Sequence, residues 1–175
     1  MSGSLDDAHR FSKPAAPGIR LLEGLGVEGD AHAGATVQHR YHVKKNKAAP
    51  NLSQVHLIPA ELFDELEQVG YSVRPGELGE NVTTRGIDLT ALPRGTRLHL
   101  GADAVVELTG LRNPCSLING YQGGLMKRLI ETDAAGRVTR KAGVMSVVAS
   151  GGAVQPGDTI RIELPLGEQI PLDVV

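Results

Sequence analysis

Aromatic side chains are nearly absent from this chain of 175 residues, with two Phe, three Tyr and no Trp. Stacking surfaces for single-stranded nucleic acid need interleaved aromatics, and the basic stretch 40–47 has few. Cysteine is reduced to one, Cys115, so no intrachain disulfide can staple the fold. No apolar run approaches the ~18–20 residues of a membrane span. The opening "MSGSLDDAHRFSKP" lacks the apolar centre of a secretory signal. Charge is close to balanced, at −2 net, which predicts neither general nucleic-acid binding nor membrane attachment. These absences together point to a reducing cytoplasm, where a lone thiol stays free.

Glycine and proline are plentiful, with 22 and 10 residues. They predict many turns, short strands and few long helices. Residues 1–17 are polar and rich in Pro and Ala, and read as a flexible N-terminal arm. Residues 18–175 read as one domain. Strands are expected at 18–26, 54–58, 96–101, 104–111, 143–152 and 154–164, several of them alternating apolar and polar residues. "PAELFDELEQVG" (59–70) predicts a helix, with Pro59 in its first turn and Gly70 as its stop. Its apolar face would hold Leu62, Phe63, Leu66 and Val69. A second short helix is expected at 124–133, and a long polar loop at 40–53. The class is mainly β with a few short helices, as a closed or nearly closed β-barrel.

Cys115 follows "RNP". Asn113 suits a helix N-cap and Pro114 the first helical position, which places Cys115 second in a short helix stopped by Gly120. A thiol there would meet unpaired N–H groups and the positive helix end, with Arg112 nearby. An unperturbed thiol is only about 3% ionised at pH 7, and two units of lowering require about 2.7 kcal/mol. A helix terminus supplies roughly 0.3–2 kcal/mol of that, and an arginine would supply the rest. The alternative is a packed, inert cysteine.

Other clusters are less specific. "EGDAHAG" (28–34) sets Asp30 and His32 between glycines, and "QHRYH" (38–42) adds His39, Arg40 and His42. No second ligand pair completes a zinc pattern. "GLGVEG" (24–29) fits a dinucleotide motif formally, but the residues after it lack helical periodicity. "RPGELGENVTTRG" (74–86) carries Glu80 and Asn81 in a glycine-rich loop that lets backbone approach a ligand, or simply makes two turns.

In order along the chain, "GLGVEGDAHAG", "QHR", "QVHLI", "PGELGENVTTRGIDLTALPRGTRLHLG", "VVELTGLRNPC" and "GVMSVVASGGAVQPGDTIRI" resemble the MOSC domain, in its small stand-alone bacterial form. The resemblance runs from Leu25 to Ile162. It implies a β-rich, barrel-like fold. It also implies that Cys115 is the functional residue, carrying sulfur as a persulfide or binding molybdenum through its thiolate, with Arg112 beside it. The motif positions Gly29, Asp30, His32, His39, Arg40, Glu80 and Asn81 would shape a pocket for molybdenum cofactor (molybdopterin). The implied partners are a separate cysteine desulfurase or other sulfur donor and a molybdoenzyme acceptor. A binding module that holds a pterin-type cofactor or small anion without chemistry is the alternative. A Cys–His hydrolase with His32 or His56 as base is a third. Residues 41–53 intervene where stand-alone relatives pass quickly into the next strand.

Overall fold

The strand expected at 54–58 turns out to be buried on both faces, and the rest of the fold is arranged around it. The computed structural model describes residues 1–38, 43, 46–132, 134, 136 and 138–175. The first strands are β1 (Ser2–Ser4), β2 (Ala15–Ala16), β3 (Ile19–Leu22), β4 (Gly26–Val27) and β5 (Val55–Pro59). Helix α1 (Glu61–Gln68) leads to β6 (Val82–Thr84), a 3-10 turn at Leu89–Ala91, β7 (Arg97–Leu100) and β8 (Ala104–Leu111). Then come α2 (Leu117–Tyr121), α3 (Leu125–Arg128), β9 (Ile130–Thr132) and β10 (Val138–Arg140). The last strands are β11 (Val144–Ser150), β12 (Gly152–Val154) and β13 (Ile160–Glu163).

Eight strands form the main sheet in the order β13-β7-β8-β11-β5-β6-β1-β2. All of its pairings are antiparallel except β5–β6, which run parallel and are joined by α1 as a crossover. That crossover explains why Val55, His56, Leu57 and Ile58 are all buried. Val55 and Leu57 face the main core, and Ile58 faces the helices. A strand covered on both sides carries no polar face, so its alternation in sequence is only apparent.

The class is mainly β with a few short helices. The expected closure is not found. Among the described residues the sheet has two free edges, β13 and β2, and β3, β4 and β12 form a separate three-stranded sheet. The ends approach through one bond, Gly157 N–H to the Met1 carbonyl at 3.0 Å.

Residues 1–17 do not behave as a free arm. Residues 2–4 pair with both β2 and β6, and Asp6 and Lys13 are buried. Helix α1 begins after Pro59, which ends β5 instead. Leu62, Phe63 and Leu66 face inward, each worth about 1.5–3 kcal/mol of apolar burial. Val69 is the helix C-cap and is exposed, because the chain has left helical geometry there. The helix expected at 124–133 stops at Arg128, since residues 130–132 pair with β10 as a hairpin. Leu98 and Leu100 are fully buried as the alternation required, and Arg97 is exposed. No helix among the described residues is long and apolar enough to cross a membrane.

Candidate functional site

β8 delivers the chain to Arg112, whose N–H donates to the Gly143 carbonyl at 3.0 Å. The segment 112–115 then runs without regular structure. Helix α2 starts at Leu117 with Ser116 as its cap, and no side chain caps it. Asn113 is therefore not the N-cap, Cys115 precedes the helix, and the helix passes through Gly120 to Tyr121. The local pattern of Asn and Pro favoured an earlier start. The turn that forms is closed by Ile118 N–H on the Cys115 carbonyl. Cys115 thus lies just ahead of the helix rather than in its first turn, and its charge acts on Arg112.

Arg112 is half-buried and well held. Its Nη1 donates to the Leu78 carbonyl at 2.5 Å, and its guanidinium carbon lies 5.9 Å from the centre of the Phe11 ring. Burial lowers its pKa, and the charges of Cys115 and Glu80 oppose that change. An arginine remains cationic regardless. Cys115 is half-buried. The Phe11 ring also packs on Tyr121 at 6.0 Å. Tyr121 donates to Glu77 Oε2 at 2.6 Å, and burial together with that carboxylate pushes the phenol up to about 12.

Glu80 has no solvent exposure. Its Oε1 accepts from Gly76 N–H at 2.5 Å and from Thr83 Oγ1 at 3.1 Å, while Oε2 is buried with no hydrogen-bond partner. Burial raises its pKa, against those donors and the Arg112 charge.

A second group gathers around Asp30. Its Oδ2 accepts from Lys13 Nζ at 2.6 Å and from Asn81 Nδ2 at 3.0 Å. Its Oδ1 accepts from His32 N–H at 2.9 Å and faces His32 Nδ1 at 3.2 Å. Burial alone would raise this carboxyl. The His32 hydrogen bond and the Lys13 ammonium outweigh it and hold Asp30 well below the usual range. Lys13 is shifted down by burial, with Asp30 opposing. Asn81 also ties strands together: its Oδ1 accepts from His56 N–H at 3.1 Å, and its own N–H donates to the His56 carbonyl.

The structure thus sorts the candidate residues. Arg112, Cys115 and Glu80 form one electrostatic group. Asp30, His32 and Asn81 form another, joined to the first through the adjacent residues Glu80 and Asn81. Gly29 is exposed, with a φ of 77° and open space around it, so a turn accounts for it. His39 and Arg40 lie outside the described residues, as do residues 41, 42, 44 and 45 of the expected loop 40–53. Val37 N–H donates to the Ala49 carbonyl and Asn51 N–H to the Ala35 carbonyl, which tie the two flanks of that loop together. His56 is not placed as a base: its Nε2 bonds the Ala142 carbonyl at 2.7 Å, and burial holds the ring neutral.

Sequence reasoning missed Lys13 and Phe11. Both sit in the segment read as an arm, and nothing local marks a lysine as the partner of a carboxylate 17 residues away. The signal that was available is the loop "PGELG". Gly76 has a φ of 87°, and a Cβ there would strike the Lys13 carbonyl. A Cβ on Gly79 would lie 2.6 Å from the Phe11 carbonyl. Those glycines mark where another stretch of backbone crosses.

Two shallow surface grooves, of about 340 and 530 Å³, lie along α1 and beside β3, and Cys115 lines neither.

A family model described as the MOSC domain matches residues 32–161. The YuaD protein from Bacillus subtilis is similar in structure, with TM-score 0.73, 25% identity and 92% of each chain covered. YiiM from Escherichia coli is similar in fold, with TM-score 0.62 and 18% identity, over 97% of this chain and 71% of that one. No curated protein matches the chain.

Proposed function

This chain belongs to the MOSC domain family, and on that footing we propose that it is a sulfur carrier acting through Cys115. The observation that carries the reading is a half-buried cysteine whose charge acts on a firmly held guanidinium three residues earlier. The charge of Cys115 acts on Arg112, and the thiolate is the form that attacks sulfur. In the step itself, Cys115 Sγ attacks the outer sulfur of a donor persulfide. The new S–S bond forms as the donor's S–S bond breaks, and the donor leaves as a thiolate. Nothing is oxidised overall, and the proton on the transferred sulfur stays with it. The donor would be a protein such as a cysteine desulfurase, and transfer onward would go to a thiol or metal acceptor such as a molybdoenzyme.

The same thiol would suit molybdenum cofactor. The soft sulfur of this half-buried residue is a fitting ligand for the metal, so Cys115 would hold it through Sγ. The cofactor when bound supplies redox chemistry at molybdenum. Arg112 would contribute charge rather than a new hydrogen bond at Nη1, which is already bonded to Leu78. Asp30 and Asn81 would act by holding the frame, because their polar atoms are engaged with one another.

Intact-mass measurement after treatment with a small persulfide donor tests the carrier reading. The expected result is a gain of one sulfur atom, lost in Cys115→Ser. If no persulfide forms, and Cys115→Ala binds isolated cofactor as tightly as the wild type, the binding-module reading replaces it.

A further inference from the structure

β13 ends the main sheet, and its outer edge has no partner strand among the described residues. Such an edge is a template for another strand unless something blunts it. Its geometry is well defined. Gly101 N–H donates to the Thr159 carbonyl, so residue 159 turns its backbone groups toward β7. In an antiparallel pair this direction alternates. Arg161 and Glu163 therefore also face β7, and Ile160 and Ile162 present N–H and C=O groups outward. Exposure rises along the strand, from half-buried Ile160 to Ile162 at 40% and Leu164 at 48%. Met1 meets the chain ahead of the strand, at Gly157.

We propose that two copies of this chain join β13 to β13, antiparallel, about a two-fold axis through Ile162. The sequence of the edge is complementary to itself in this register alone. With Ile162 opposite its own copy, Arg161 faces Glu163 of the second copy and Glu163 faces its Arg161. Shifting the axis to Arg161 or Glu163 would set like charges directly opposite, which is destabilising. The rows behind the edge continue the pattern. Glu107, Arg97 and Glu163 lie side by side across three strands, with Arg97 Nε bonded to Glu107 Oε2 at 3.1 Å. The second copy's Arg161 would extend that row of alternating sign. On the other face, Val106 and Leu98 are fully buried and run out to Ile162. Pairing there would complete a core row now left open. On the charged face, His99 Nε2 bonds Glu163 Oε2 at 2.8 Å and Arg161 lies 3.7 Å from the same oxygen, so Glu163 is already oriented there.

Sedimentation across a concentration series tests this. The mass of the wild type is expected to rise from 18.5 kDa toward twice that value. Arg161 is exposed, so Arg161→Glu leaves the fold intact while opposing two carboxylates at both symmetry-related positions. It is expected to raise the dissociation constant by about tenfold or more. Adding Glu163→Arg restores opposite signs, and dimerisation with them. Ile162→Cys in a Cys115→Ser background is expected to give a covalent dimer with a short bismaleimide, because the axis places the two thiols together. A wild type that stays monomeric throughout, a dissociation constant unmoved by Arg161→Glu, or no cross-link at residue 162 would each overturn the proposal. Should the double swap fail to fold, the cross-link decides.

Discussion

Lys13 Nζ lies 2.6 Å from Asp30 Oδ2, and both side chains are almost wholly out of solvent. This ion pair fastens residues from the N-terminal segment to the loop after β4, and Asn81 joins them from the start of β6. Removing one partner leaves the other charge buried, which costs about 3–5 kcal/mol. Lys13→Met is expected to lose stability on that scale in urea denaturation. Lys13→Met with Asp30→Asn should lose less than the sum of the two single variants, since neither charge is then stranded. Additive losses would mean the pair is not coupled.

Arg112 and Glu80 should act on Cys115 in opposite directions. Arg112→Met removes the cation, and alkylation of the native thiol at pH 7 is expected to slow by roughly three- to tenfold. Glu80→Gln removes a carboxylate that shares the same guanidinium, and alkylation is expected to speed up. Its amide oxygen can still accept from Gly76 and Thr83, so melting should change little. Rates that are equal in all three proteins would leave the thiolate without an electrostatic cause.

His56 makes stability depend on pH. Burial, then the charges of Arg112 and Lys13, push its pKa well below that of an ordinary imidazole. In the unfolded chain it takes up a proton near pH ~6.5. Below that pH the unfolded state binds more protons, so this contribution is complete above about 6.5 and shrinks as pH falls. Unfolding free energy is expected to drop by about 1.4 kcal/mol between pH 7.5 and 5.5. His56→Gln keeps a donor toward Ala142 and should flatten that slope. Asp30 adds a loss of the same sign only under more acid conditions, below about pH 4. Glu80, shifted the other way, is constant there and opposes His56 at higher pH: its contribution is complete below the unfolded carboxyl pKa and lost as pH rises through its folded value.

Gly76→Ala combines a strained backbone with a collision. The left-handed conformation costs about 1–2 kcal/mol, and crowding of the Lys13 carbonyl adds about 1–3 more. A melting temperature within a degree of the wild type would show that the crossing of residues 11–13 over this loop is not tight.

Much of the architecture was legible beforehand because it rests on local periodicity. Leu98 and Leu100 had to face one way, and Leu62, Phe63 and Leu66 had to line one side of a helix. What misled were positions where a neighbour outranked the local pattern. Pro59 was claimed by the pairing of β5 with β6, and residues 130–132 by the hairpin with β10. Helix α2 starts at Leu117, so Cys115 lies just before the helix instead of in its first turn.

By itself the sequence determined the strand-rich class, the family motifs and the single thiol, since composition, spacing and the count of one cysteine need no third dimension. The tertiary structure alone decided that Lys13 neutralises Asp30, that Glu80 is sealed away beside Arg112, and that the sheet keeps an open edge among the described residues. Those outcomes depend on which distant segments are brought within a few ångströms, and the strength of a charge depends on the solvent they exclude.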